Sequence, residues 1–334
     1  MLLYVRNRNE HKKSAYCAQH SRIDDRPYRI DCRSDCPSVA PLPFYSPMTT
    51  LTSLLGNTQK LDGGAMFGHV PKALWSRWLP ADDQNRVALH CRALLIQEPH
   101  RNILLETGIG AFFDPALKER YGVEEPQHVL LDSLAAQGLS HTDIDIVVLS
   151  HLHFDHAGGL LDAWQKDQPP SLLFPKAQYL VSQGAWERAQ HPHLRDRASF
   201  LPALHLLLEA SQRLHLVEGE THPLLGPGYC FLYSDGHTPA MMHTVVSMPA
   251  GPVIFAADLI PGTSWLHLPI CMGYDRAPEQ LIQEKKTLLE WILQENGRLF
   301  YTHDPNIAIS RVMLDEKGHF SAIEKLPDIT KLEA

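Results

Sequence analysis

No apolar run in the 334-residue sequence approaches the ~20 residues needed to span a bilayer. The longest, such as Ile144 to Leu149, have the length of buried strands. The N-terminus, MLLYVRNRNEHKK, lacks the apolar stretch of ~7–15 residues that a secretory signal needs, so a cytoplasmic address and no membrane partner are expected. Positive charge is in deficit: 30 Lys and Arg against 38 Asp and Glu leave a net charge of -8. Nucleic-acid binding is therefore not expected. Cysteine is sparse, with six residues at Cys17, Cys32, Cys36, Cys91, Cys230 and Cys271. Cys32 and Cys36 have a C-x-x-x-C spacing with no second pair nearby, which does not make a zinc knuckle, and free thiols are expected. No internal repeat is present. Histidine, by contrast, is abundant at 20 residues, several of them beside Asp, Gly or Thr.

Residues 1–47 are rich in Arg, Asp, Ser and Pro and end in PSVAPLPFYSP, which reads as a disordered or loosely attached extension. Met48 follows directly, and residues 48–334 read as one domain. The pattern predicts strands over Val87–Gln97, Asn102–Glu106, Asp145–Ser150, Gln178–Ser182, Tyr229–Ser234, Thr244–Met248, Val253–Ala256 and Arg298–Thr302. It predicts helices over His128–Gln137, Gly184–Gln190, Phe200–Ser211 and Pro278–Glu295, the last opened by Pro278-Glu279 and stopped by Gly297. Many strands with interspersed helices imply an α/β domain with helices outside the sheets.

The segment Ser150-His151-Leu152-His153-Phe154-Asp155-His156-Ala157-Gly158-Gly159 follows an apolar strand and offers four metal ligands within six residues. Residues two apart in extended chain point the same way, so His151 and His153 can grip one ion together. Asp155 and His156 fall in the following turn and can face a second ion. Imidazole nitrogen and carboxylate oxygen suit zinc, and manganese, iron or cobalt less selectively. Four residues cannot complete two ion shells. Three more candidates stand where apolar strands end: His237 in Ser-Asp-Gly-His-Thr-Pro, Asp258 after Val253–Ala257, and His303 after Leu299–Thr302. His243 is assigned to packing or to supporting a ligand. His191 and His193 have no strand leading into them, and His222 and His267 sit in loop-like segments.

With these residues in place the chain resembles the metallo-β-lactamase superfamily, whose hallmark is H-x-H-x-D-H followed by a separate His, Asp and His. The resemblance runs from about Leu61 to about Phe320. It implies an αβ/βα sandwich of two mixed β-sheets flanked by helices, with a dinuclear site at one edge. It also implies that His151, His153 and His237 bind the first metal, that Asp155, His156 and His303 bind the second, and that Asp258 bridges them. His237-Thr238-Pro239 and the all-His/Asp shell look most like the N-acyl-homoserine lactonase and methyl parathion hydrolase branch. Three departures are visible: Glu106 stands where Asp is commoner, Ala240 follows H-T-P in place of Gly, and Pro261 stands where lactonases place a substrate-polarising Tyr.

The implied chemistry is hydrolysis of a small-molecule ester or lactone, acyl-homoserine lactones included. Two divalent ions, zinc in the first instance, share a hydroxide that attacks the carbonyl, while Asp155 manages the proton. The alternatives in order are phosphotriester or phosphodiester hydrolysis, thioester hydrolysis, and a metal-binding regulator without turnover. Candidate substrate contacts are Phe112, Phe113, Trp265, Leu266 and His267, from two apolar segments near the ligands. A homodimer is compatible with this reading.

Overall fold

Neighbouring side chains on the central strands are all buried yet divide between two cores, which requires packed layers on both faces of the sheet. In the computed structural model, which describes residues 49–333, Ile103, Leu105, Ile146, Val148 and Leu180 join one core while Leu104, Val147, Tyr179 and Val181 join another. The N-terminal extension, with Cys17, Cys32 and Cys36, lies outside the described residues. Cys91, Cys230 and Cys271 form no disulfide among the described residues.

The strands are β1 (Thr50–Leu54), β2 (Gln59–Asp62), β3 (Arg86–Leu89), β4 (Ala93–Glu98), β5 (Arg101–Leu105), β6 (Ile146–Val148), β7 (Gln178–Ser182), β8 (Leu214–Val217), β9 (Tyr229–Ser234), β10 (Met241–Val246), β11 (Val253–Phe255), β12 (Arg298–Phe300), β13 (Ile309–Leu314), β14 (Phe320–Leu326) and β15 (Leu332–Glu333). One sheet has the order β15-β1-β4-β5-β6-β7-β8, the other β14-β13-β12-β11-β10-β9, and β2 pairs with β3 apart from both. Each large sheet is mixed: β5 through β8 run parallel in the first, and β11 pairs parallel with β12 in the second. The core between the sheets takes Leu94, Ile96, Ile103 and Leu105 from one and Met241, Val245, Ile254 and Phe300 from the other.

The helices are α1 (Gly63–Phe67), α2 (Lys72–Trp75), α3 (Pro115–Arg120), α4 (Val129–Ala136), α5 (Phe154–Ala157), α6 (Gln183–Gln190), α7 (Pro202–Ser211) and α8 (Pro278–Gln294). Leu130 and Leu134 of α4, Trp186 of α6, and Leu204 and Leu208 of α7 cover the outer face of the first sheet. The crossover helix α8 joins β11's neighbourhood to β12, and its Leu281, Leu288, Leu289 and Ile292 recur at helical spacing on one buried face. The layers are thus helix, sheet, sheet, helix.

Most predicted elements are recovered with ends displaced by one or two residues, and two strands differ by more. Val87–Gln97 is two strands, because at its midpoint His90 and Arg92 leave the sheet direction and donate backbone N–H groups to the carbonyls of His303 and Thr302. The strand predicted at Thr244–Met248 sits earlier, as β10, because Met241 to Val246 pair in register with Ser234 to Tyr229. No helix among the described residues is long and apolar enough to cross a membrane.

Candidate metal centre

Four of the seven predicted ligands stand three residues past the end of a strand. His151 follows β6, His237 follows β9, Asp258 follows β11 and His303 follows β12. The first strand belongs to one sheet and the other three to its partner, so the ligands converge at the shared edge of the sandwich. His153 precedes α5, and the short helix carries Asp155 and His156.

The seven side chains meet in two groups. His151, His153, His237 and Asp258 are all buried and bring one ligand atom each into a common space, and Asp155, His156 and His303 do the same beside them. Asp258 faces both. Its Oδ2 is 3.2 Å from His237 Nε2, and its Oδ1 is 3.2 Å from both His156 Nε2 and His303 Nε2. Asp155 Oδ2 lies 3.6 Å from His303 Nε2.

This donor set fits divalent metal ions. His303 Nε2 and His156 Nε2 are 3.2 Å apart, and His237 Nε2 and His153 Nδ1 are 3.3 Å apart. Two nitrogens each ~2.0–2.1 Å from one tetrahedral ion are separated by about 3.3 Å. The buried Nε2 of His151 has no hydrogen-bond partner among the described residues, a costly arrangement for an atom that nothing else satisfies.

The outward nitrogens of four rings are fixed by acceptors. His156 Nδ1 lies 2.8 Å from Glu106, His237 Nδ1 lies 2.8 Å from Asp275, and His303 Nδ1 lies 2.7 Å from the carbonyl of His90. Carboxylates and carbonyls only accept, so each Nδ1 carries a proton and Nε2 is the nitrogen left facing the cluster. Ser150 donates to Glu106, which leaves its oxygen to accept from His151 Nδ1 at 2.8 Å. Such partners set the tautomer and basicity of a ligand. Asp275→Ala is therefore expected to weaken metal binding about 10–100-fold, read by competition with a chromophoric chelator.

Charge is balanced inside the cluster. Burial and the neighbouring imidazoles hold His151 well below the ordinary histidine range, and burial foremost brings His153 down to about 3. Burial also opposes protonation of His156, but Glu106, Asp258 and Asp155 outweigh it and hold that ring well above the ordinary range. His303 is raised in the same way against burial, chiefly by Asp258, and His237 by Asp258 and Asp275. A metal must displace protons from these three rings. Because these rings hold their protons above the ordinary histidine range, affinity is accordingly expected to climb as pH rises through and beyond that range, with protons released on binding. Calorimetry in buffers of different ionisation enthalpy counts them; pH-independent affinity would contradict the assignment.

A cavity of 390 Å³ opens onto the cluster, with His153, Asp155, His237, Asp258 and His303 in its floor. Its walls come from Leu61, Met66, Leu89, Tyr121, Met272 and Tyr274, and Arg120 and Arg195 also line it. The five predicted substrate contacts lie elsewhere. Trp265 stacks on Phe67 at 4.7 Å, donates its indole N–H to Met66 and is buried with Leu266 in the core between the sheets. His267 is exposed and stacks on Trp78. Phe113 packs behind the cavity against Tyr121 and Phe154, with Phe112 against it. His243 bonds to Ser234, His193 accepts from Arg195 N, and His222 packs on His215. Gln59, whose Nε2 donates to Asp155 Oδ2 at 3.0 Å, and Asp275 carry no sequence signal that marks them.

Comparison with known proteins identifies the family and the fold. The family model "Metallo-beta-lactamase superfamily" matches residues 86–303. An N-acyl homoserine lactonase of a Bacillus species is 25% identical over 177 residues, 52% of this chain, and the match spans 62% of that protein's length. Among solved structures, a probable metal-dependent hydrolase from Staphylococcus aureus superposes with a TM-score of 0.74 at 28% identity, covering 85% of this chain and 100% of the other. AidC, a dizinc quorum-quenching lactonase, superposes with a TM-score of 0.66 at 22% identity over 84% of this chain and 95% of its own. The matched region contains all seven residues of the two clusters and the strands that deliver them. The chain belongs to the metallo-β-lactamase superfamily.

Proposed function

We propose that the chain is a hydrolase of esters or lactones that works with two divalent metal ions, zinc in the first instance. The observation that carries this reading is Asp258, a buried carboxylate with one oxygen toward each of two adjoining ligand groups. His151, His153 and His237 would hold one ion, Asp155, His156 and His303 the other, and Asp258 would be shared. Ions held there supply an acidified water and an electrophile for the substrate oxygen.

The remaining work falls to the chain's own side chains. Asp155, about 15% exposed and oriented by Gln59, hydrogen-bonds the attacking water, takes its proton and returns it to the leaving oxygen. The wall of Leu61, Met66, Leu89 and Met272 excludes water and accepts an apolar acyl group. Pro261 is buried and its carbonyl accepts the N–H of His303 at 2.9 Å, so that position supports a ligand loop and offers no hydroxyl to the substrate. For this reason the reading covers esters generally, with lactones as one member. It takes residues 48–334 as the functional unit, a view supported by the pairing of β1 with β15 from its two ends.

The test is a panel of aryl esters, acyl-homoserine lactones, thioesters and phosphotriesters offered to the zinc-loaded protein. Turnover of carbonyl esters or lactones at least about tenfold faster than of phosphotriesters, after correction for intrinsic reactivity, supports the reading. Faster phosphotriester turnover, or two bound metals with no turnover of any member, would sink it.

A further inference from the structure

Arg120 and Arg195 come from segments 75 positions apart, yet both line the cavity above the ligand cluster. Arg120 ends α3, is exposed, and has its guanidinium 5.8 Å from the Tyr121 ring centroid. Among the described residues it has no carboxylate or carbonyl partner. Arg195 is held by one nitrogen: its Nη2 donates to the carbonyls of Gly273 at 2.6 Å and Asp275 at 3.2 Å. Its Nη1 and Nε keep no partner among the described residues.

The carboxylates lining the same cavity are already committed. Asp155 and Asp258 belong to the ligand groups, and Asp196 is taken by Arg188, with Nη2 at 2.6 Å, and by Arg276 at 3.8 Å. Two guanidiniums with no acidic partner among the described residues therefore line one opening with donors still available to an anionic group. A guanidinium offers five donors in a planar fork suited to a carboxylate or phosphate.

We propose that Arg120 and Arg195 form an anion subsite, so that the favoured substrate carries a carboxylate or phosphate outside the bond that is cut. This rests on the hydrolase reading for the reacting end of the substrate only. The apolar residues that line the same cavity, Leu61, Met66, Leu89 and Met272, can then take the carbon chain that joins anion to ester. A thioester of an acidic thiol and an ester of a dicarboxylic acid both satisfy this pattern; a simple acyl-homoserine lactone does not.

The experiment is calorimetric binding to the zinc-loaded full chain of dicarboxylates from succinate to suberate, each paired with the monocarboxylate of equal length. Both members present one carboxylate to the ligand cluster, and only the first has another for the arginines. At the best length the dicarboxylate should bind about tenfold tighter, the scale of one charge-assisted pair. Arg120→Met and Arg195→Met should each bring the ratio toward one, and added salt should do the same. A ratio near one at every length overturns the subsite, as does a ratio that survives both substitutions. If Arg195→Met weakens both members equally, that arginine only holds the Gly273–Asp275 loop and the two-arginine subsite falls. Monophosphate esters of matched alcohols form a second arm that separates phosphate from carboxylate preference. Because binding is read without turnover, an intact ratio in a protein that cleaves no ester would discard the hydrolase reading and keep the subsite.

Discussion

Asp258→Ala is expected to lower hydrolysis by about 10²–10³-fold, the scale on which loss of one source of transition-state charge stabilisation acts, and to leave fewer than two metals per chain. Three imidazole nitrogens, from His156, His237 and His303, each lie 3.2 Å from this carboxylate. Burial penalises its charge, but those three rings draw its proton affinity well below the ordinary carboxylate range. Asp258 is thus an anion that both halves of the site depend on. Removing it leaves neighbouring cations, whether metals or protonated imidazoles, without their shared counter-charge. Asp258→Asn preserves the shape and one acceptor oxygen, so it separates charge from packing. It should retain the fold and hold one metal more firmly than the second. Metal analysis of both variants beside their circular dichroism decides the matter. Two metals retained at full activity in Asp258→Ala would contradict the shared-ligand role.

The second large effect concerns stability. Gly159 lies where the segment carrying Asp155 and His156 presses on the turn after β5. A Cβ there would stand 2.0 Å from the carbonyl oxygen of Thr107, a backbone atom with no freedom to withdraw. The contact is pinned from three sides: Gly159 N donates to Gly108 O at 2.9 Å, Thr107 N donates to His156 O at 3.0 Å, and Gly159 O meets His128 Nε2 at 3.0 Å. Gly159→Ala must therefore push the two backbones apart, at about 3 kcal/mol for overpacking of this kind. The thermal midpoint should drop by roughly 5–10 °C. Glu106 and His156 lie in the two segments being separated, so metal affinity should fall with stability. Gly138→Ala is the control, since nothing lies within 4 Å of its added carbon, although its φ of +74° gives that variant a small cost of its own. Equal midpoints for Gly159→Ala and the parent protein would refute the close approach.

That these seven residues would cluster was legible for a physical reason. His151, His237, Asp258 and His303 stand three residues past the end of an apolar strand, and His153, Asp155 and His156 follow His151 within five residues, so strand, break and cluster are all visible along the sequence. The groups that orient those ligands were not legible. Asp275 reaches His237 across 38 positions and Gln59 reaches Asp155 across 96, and neither follows a strand or sits in a motif. Only the folded chain brings them together. The expected substrate contacts lie away from this cavity for the opposite reason, since apolar residues near the cluster are visible in sequence but their direction is not. Trp265 and Leu266 follow Asp258 closely, yet they turn inward onto Phe67 and the core. The cavity wall is built instead from Tyr121, Met272 and Tyr274, which the pattern around them does not single out. The break inside Val87–Gln97 has the same origin, because the partners of His90 and Arg92 are more than 200 positions away.

The central claim is that two ions, seated between these two ligand groups, are jointly required for hydrolysis. Zinc titration of chelator-stripped protein, with hydrolysis of an aryl ester or lactone followed at each addition, tests it most directly. Activity that rises to its plateau at two equivalents per chain is the predicted result. A plateau at one equivalent, or two tightly bound equivalents with no hydrolysis, would contradict the account.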